Sequence, residues 1–486
     1  MFTEGVCRFL QIVTASGQKF GRLKHYIKDR VGVMNLQYAL LNDTSWQSQT
    51  DWQIPDTPFM SFAFWQALTE TGAIGEQAGW LPIFILVHRV AASSTDDEQN
   101  NEDYVATDSA QKAEEVETTT VTQSVAVLPV FIKNHHRGEF VFDHAWAEAY
   151  ARYGVDYYPR LVTSAPYTPI TGQRLWLAEG EVLTADILQT AIAGVDDIAQ
   201  QVGASSWHGL FVTPELASVA SAAMPTDVDI ERALAAQDNG LEPTAIDIPI
   251  LERQGCQFLW QNKNLLDDEQ PFTDFDAFLM TLTAKKRKNI RAERKKVARQ
   301  GIRCVRKCGE DITEGDWKAF YHCYVMTYAI RGQRPYLSEA FFKKLAQSMP
   351  EHLFLAQAYN ESDEIIASSL FLYDKPHSKG ATLYGRYWGA LGEYDSLHFE
   401  LCYYQGIEFA IEQGLTYFDP GTQGEHKLIR GFIPTKTHSL HRIYDPRFVP
   451  AISDFCTKDR MHMAQYRKQA HEALPFNSDN MPSFDS

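Results

Sequence analysis

The chain has 486 residues, 44% of them hydrophobic and 12% aromatic, which is more than one core usually holds and enough for two. Its formal charge of −17 argues against generic binding to long DNA, and no run approaches the ~18 apolar residues that cross a bilayer. Seven cysteines, an odd number without a CxxC pair, argue against a disulfide framework and for reduced thiols. The start has no basic stretch followed by a long apolar one, because Val6–Val13 carries Arg8 and Gln11. A cytoplasmic protein without an integral membrane segment is the expectation.

Residues 1–33 show no clear periodicity and receive no function. From 34 to 90 the pattern predicts a strand, a helix over Ser61–Thr71 and a strand over Trp80–Val90. Ala91–Ser124 holds nine acids and one lysine, a net of −8, too polar to bury a core; it predicts a disordered loop inserted into a hairpin. Val125–Phe142 resumes as strand, and Asp143–Tyr153 is a helix. His135, His136 and His144 lack the second ligand pair of a zinc site, so no metal is expected. Tyr157–Arg174, with Pro159, Pro166 and Pro169, suits edge strands and turns rather than a central strand. Helices follow at Ala185–Val202 and Pro214–Ala223, and 224–250 is the boundary region between two domains, 34–249 and 250–486.

Ile250–Gln261 reads as strand and Phe272–Gln300 as one long helix. Inside and beyond it, Lys285–Lys307 holds twelve Lys/Arg and one acid, Glu293, a net of +11 in a chain whose remainder sums to −28. Lys285, Lys286, Arg287, Lys288, Arg291, Arg294 and Lys295 are therefore candidate polyanion-binding residues, for tRNA, a nucleotide cofactor or a pyrophosphate-linked lipid precursor. The competing reading pairs them with the chain's own acids. Asp316–Tyr328 and Ser338–Met349 are amphipathic helices, and Leu353–Tyr359 with Glu364–Tyr373 forms a hairpin.

The stretch 381–430 gathers the densest chemistry: strand Ala381–Trp388, a turn with Asp395 or Ser396 as N-cap, helix Leu397–Gln413, Gly414 as C-cap, strand Leu415–Phe418 and a loop. A site that handles a phosphate or a developing oxyanion needs a base, an oxyanion donor and a phosphate clamp. Asp419, Glu425 and His426 are candidate bases and Tyr384 an oxyanion donor. Arg386, Tyr387, His398, Glu400, Gln423, Lys427 and Arg430 are candidate binding residues. Glu425, His426 and Lys427 are consecutive, so at least one of them is structural. Gly421 and Gly424 are no P-loop, since no GK[ST] follows. An extended, proline-broken stretch follows, then a terminal helix over Val449–Ala473 and a frayed last dozen residues.

GRYWG, LHFELCYYQ and GTQGEHKLIRGFIP followed by THS resemble the C-terminal signature of the FemAB-like acyltransferases. So do FVFDHAWAEAY, YYPRLVTSAPYTPITGQRL, QFLWQN and KKRKNIRAERKKV, which extends the resemblance over roughly Leu36 to Phe455. The family belongs to the GNAT acyl-CoA N-acyltransferase superfamily. The resemblance implies an α+β fold of two GNAT-like domains, each a mixed, mostly antiparallel sheet flanked by helices. It also implies transfer of an acyl or aminoacyl group to an amine, with peptidoglycan precursors as the acceptor class. No bound cofactor is expected; the co-substrate is an aminoacyl-tRNA or an acyl-CoA. An acetyl-CoA-dependent N-acetyltransferase and a non-catalytic protein that binds cell-wall precursors or RNA are the alternatives. Two departures bear on this. The turn ALGEYDS carries Glu393 and Asp395 where CoA-dependent relatives place a glycine-rich phosphate loop, which favours aminoacyl-tRNA. Asp419 and Thr422 stand where the family pattern has glutamate and alanine.

Overall fold

Thirteen strands share one sheet in the computed structural model, which describes residues 36–90, 122–223, 248–375, 380–422 and 424–484. The expectations for residues 1–33, for the acidic insert up to residue 121, for most of the boundary region and for Gln423 lie outside the described residues. In chain order the strands are β1 (Leu36–Leu41), β2 (Trp80–Val90), β3 (Thr122–Lys133), β4 (Arg160–Thr163), β5 (Trp176–Leu177), β6 (Ser206–Val212) and β7 (Leu251–Gln261). They continue as β8 (Arg303–Cys308), β9 (Leu353–Tyr359), β10 (Ile365–Tyr373), β11 (Thr382–Ala390), β12 (Tyr417–Asp419) and β13 (Ile433–Ile443). The helices are α1 (Phe62–Glu70), α2 (His144–Arg152), α3 (Ala185–Val202), α4 (Pro214–Ala223), α5 (Phe275–Thr281) and α6 (Ala284–Arg299). After them come α7 (Glu314–Ala329), α8 (Glu339–Ser348), α9 (397–412, with a π-helical turn at Glu400–Tyr404) and α10 (Val449–Glu472).

The sheet order β1-β2-β3-β4-β6-β13-β7-β12-β11-β10-β9-β8 contains one pattern twice. From β1 to β13 every neighbour is antiparallel except β4 and β6, which are parallel and joined through α3. From β8 to β7 every neighbour is antiparallel except β11 and β12, parallel and joined through α9. The halves meet where β13 pairs with β7 from Ile433–Leu259 to His441–Leu251. The last strand of the chain thus completes the half built by its first residues.

Local sequence explains the crossover helices. Thr184 caps α3 by accepting from the Ile187 amide, and Gly203 (φ +66°) ends it in the left-handed region. Gly414 (φ +64°) does the same after α9. One face of the sheet carries an aromatic core shared by both halves, in which Phe59, Phe64 and Trp65 from around α1 meet Phe320, Tyr324, Phe341, Tyr384 and Tyr387. On the opposite face α3 and α4 cover the first half, and α5, α6 and α9 cover the second.

Four expectations need correction. Tyr157–Arg174 is not an edge: β4 is buried between β3 and β6, and its four residues end before Pro166. By topology, β4-α3-β6 is the counterpart of β11-α9-β12, since each joins two parallel neighbours through a helix, whereas α2 lies between two antiparallel strands. The long helix over Phe272–Gln300 is two helices. Leu282 and Thr283 are extended because Leu282, fully buried, bridges Phe476, and the Thr283 amide donates to Pro475 O at 2.9 Å. The same contacts pin the C-terminal dozen expected to fray, where Asn480 is also buried. Finally, Ser396 stands at the start of α9 with φ +66°, and its hydroxyl bonds Asp395 rather than capping the helix.

Candidate active site

The parallel pairing of β11 with β12 spans only Thr382–Tyr384 against Tyr417–Asp419, after which the strands part. Arg386 bridges that gap. Its guanidinium donates to Asp419 Oδ2 (2.7 Å), Asp419 O (3.1 Å), Gly385 O (2.9 Å) and Thr168 Oγ1 (2.7 Å), tying the two halves together. The other Asp419 oxygen accepts from the Gly421 amide at 2.8 Å. Asp419 is therefore the buried counterion of Arg386 and the anchor of a turn, not an unengaged base.

Two further cations fix the loop that follows. Lys427, 2% exposed, donates to the carbonyls of Gly421 (2.6 Å) and Thr422 (3.2 Å), and burial lowers its ammonium to about 8. Arg430 bonds His426 O, Tyr404 Oη and both oxygens of Glu293, and stacks 3.5 Å from the Phe399 ring centre. Neither is open to a ligand phosphate. Glu293, the one acid of the basic run, is the counterion sequence reasoning overlooked, and its spacing from Arg430 gave no signal.

Tyr384 is likewise committed: its hydroxyl donates to Asp374 at 3.0 Å, and burial holds that carboxyl up at about 7. Tyr384 cannot serve as an oxyanion donor from there. Tyr387 belongs to the aromatic core, its ring edge-to-face with Tyr324 and Phe342. Glu400, in the π turn, accepts twice from Arg294 (3.0 and 3.1 Å) and once from Gln405 (2.7 Å). What remains accessible is narrower. Glu425 is exposed, while His398 and His426 are half-buried with rings 6.1 Å apart. His426 Nε2 lies 2.8 Å from the Tyr403 hydroxyl. Burial, with Lys427 and Arg430 nearby, lowers the His426 pKa, and burial lowers His398 to about 4. Both imidazoles are neutral at neutral pH.

Beside this loop a cavity of about 410 Å³ opens where the halves meet. β7 and β13 supply its floor through Gly255, Gln257, Thr437 and Ser439, and Phe140–Phe142 with Phe211 form one wall. Met463 and Tyr466 of α10 form another, and Thr422 and Gly424 form the rim. Arg253 crosses the mouth, bonded to Asp459 at 2.6 Å and to Phe142 O at 2.7 Å.

The basic segment divides. Arg294 pairs with Glu400 and Glu408, Arg291 with Asp276, Lys296 with Asp395, Arg303 with Asp363, Arg306 with Glu412 and Lys307 with Asp316. Arg287 donates to Met280 O and Leu282 O. Internal pairing thus claims half of the twelve cations. Lys285, Lys286, Lys288 and Lys295 have no such partner among the described residues.

The first half holds a polar cluster that sequence reasoning missed. Arg160, fully buried, pairs with Glu139 and Asp143; Lys133 lies 3.2 Å from Glu139, and Tyr157 donates to Asp143 at 2.6 Å. His208 Nε2 lies 2.8 Å from Ser206 Oγ, and its Nδ1 lies 2.7 Å from Nδ1 of His441. Asp143, Tyr157 and Arg160 all fall within stretches that carry the family resemblance, and that was the available signal.

A mixed α+β protein with a duplicated, mostly antiparallel sheet and a cleft at its seam is the class these observations define. The family model described as peptidoglycan biosynthesis/recognition matches residues 38–478, and the chain belongs to this FemAB-like family. None of the curated proteins matches. Among solved structures, L-PGS from Bacillus licheniformis is similar at 12% identity and TM-score 0.39, over 84% of this chain and 98% of that one. A GCN5-related N-acetyltransferase from Sphaerobacter thermophilus is similar at 10% identity and TM-score 0.26, over 65% and 80% of the two chains. N-myristoyltransferase of Saccharomyces cerevisiae, with bound myristoyl-CoA, is similar at 10% identity and TM-score 0.29, over 59% of each chain. Among the described residues no helix is long and apolar enough to cross a membrane.

Proposed function

We infer that this chain is an acyltransferase that moves an acyl or aminoacyl group to an amine, with a peptidoglycan precursor as the acceptor class. The observation that carries the reading is the 410 Å³ cavity at the seam, whose rim includes Thr422 and Gly424, flanked by residues that Arg386, Lys427 and Arg430 hold in place. A clamped loop keeps a reacting group in place, and such positioning can supply about 7–11 kcal/mol of a transfer barrier. His426 is the base of choice: neutral, half-exposed and oriented by Tyr403. It would take the proton from the attacking amine as the new bond forms to the acyl carbon, and return it to the ribose hydroxyl oxygen of the donor as the aminoacyl ester bond breaks.

The 391–396 turn bears on the donor. The Asp395 amide donates to Gln300, the Leu397 amide to Tyr394 O, and Glu393 and Asp395 are exposed acids. That is poor lodging for a pyrophosphate, so an aminoacyl-tRNA donor is preferred over acyl-CoA. The test is a transfer assay with each donor on cell-wall precursor amines. His426→Gln is expected to lower kcat about 100-fold with donor Kd unchanged, and Glu425→Gln to have little effect. Full activity of His426→Gln removes it as base.

A second reading, recognition without chemistry, draws on the burial and mutual pairing of Tyr384, Asp419, Glu400, Lys427 and Arg430. Tight precursor binding with no turnover of either donor would establish it.

A further inference from the structure

We propose that the exposed ridge of α6, formed by Lys285, Lys288, Lys295 and Arg299, is a dock for the sugar–phosphate backbone of a single RNA strand. All four side chains are exposed, and none has an ion pair or hydrogen bond within the described chain. At about 100° per residue they fall in one stripe roughly 80° wide and ~21 Å long. The stripe lies opposite the face that buries Ile290 and Val297. The other cations of the helix are occupied or turned inward: Arg294 and Arg287 are bonded, and Lys286 is half-buried beside the inner face.

What borders the ridge decides the occupant. On one flank Arg291 meets Asp276, whose side chain is 75% exposed; on the other Lys296 meets Asp395, 63% exposed. Glu393 is exposed next to Asp395. A flat anionic bilayer laid on the ridge would press against these carboxylates on both sides. A narrow strand lying along the helix would not. The ridge also spans a length that three or four successive phosphates fill, which a single phosphate group would not use. The proposal deepens the transferase reading by giving an RNA-borne donor a place to lie, yet its test needs no transfer, so the two can fail separately.

The test measures fluorescence anisotropy of a labelled single-stranded oligoribonucleotide of about 12 nucleotides across a salt series. Wild type is compared with Lys285→Gln/Lys288→Gln/Lys295→Gln/Arg299→Gln. A charge-matched control changes Arg152, Lys318, Lys343 and Lys458 to Gln, all in exposed i,i+4 pairs elsewhere. Wild type and control are expected to bind with the same steep salt dependence. The ridge variant should bind at least tenfold more weakly, with a slope of log K against log salt flatter by about three, from ~0.7 per lost phosphate contact. Circular dichroism confirms that each variant is folded. Equal weakening of both variants, or none, overturns the proposal. So does ridge-dependent binding to phosphatidylglycerol vesicles without binding to the oligonucleotide.

Discussion

At the scale of single residues, the densest cluster of candidate catalytic groups turns out to be a frame. Asp419 and Arg386 show why the two roles are separable by measurement. Their ion pair has side chains 9% and 2% exposed, and replacing one partner leaves the other charged and dry. Asp419→Ala is therefore expected to cost about 3–5 kcal/mol of stability, read as a lower urea midpoint with an unchanged slope. A catalytic base would instead lose activity at full stability, and that result would return Asp419 to the chemistry. The sequence made the cluster visible because Tyr384, Arg386, Asp419, His426, Lys427 and Arg430 lie within one short stretch. It could not show the pairing, because the partners Thr168 and Glu293 come from 218 and 137 residues away. Proximity in the chain was legible, and engagement was not.

At the scale of elements, what was readable depended on where the determining contact lies. α3 is delimited by Thr184 and Gly203, both adjacent to it, and its ends follow from the sequence. The break between α5 and α6 is set by Phe476, far along the chain, and no local pattern marks it. Within the signature, Gly389 records a contact of the second kind. A Cβ there would sit 1.8 Å from the Cys323 carbonyl oxygen, so α7 lies directly on β11 with no room for a methyl group. Gly389→Ala must push α7 away from the aromatic core shared by the halves. A loss of about 3 kcal/mol or more is expected, at the upper end of overpacking costs, measured by thermal unfolding. Gly392→Ala, where the nearest atom is a tyrosine ring carbon at 3.4 Å, serves as the near-neutral comparison. Equal stability of the two variants would mean that the helix yields freely.

At the scale of the molecule the two halves share strand order but join through unlike chemistry. In the first half a buried guanidinium, Arg174, binds the carbonyls of Ile170, Gly172, Gln173, Leu210 and Phe211. In the second, Lys427 holds the rim loop of the cavity. Within the first half, β6 and β13 meet at His208 and His441, about 1% exposed each. Burial, with Arg160 and Arg253 close by, lowers both imidazoles well below the usual histidine value. Ser206, Tyr157 and Trp146 are their other neighbours, and none of these supplies a carboxylate in direct contact. The folded state therefore refuses protons that the unfolded chain accepts near pH 6.5. The stability these histidines contribute is complete above that pH and is lost as pH falls below it. Going from about pH 7.5 to about pH 5, each histidine kept neutral costs ~2 kcal/mol. The buried carboxyl of Asp374, held up at about 7 by burial, acts with the opposite sign over the same window, so the total alone is uninformative. The difference between wild type and His208→Gln/His441→Gln isolates the pair. Urea midpoints at the two pH values should fall less in the variant, and an equal fall in both would falsify a protonation-sensitive β6–β13 pairing within the first half.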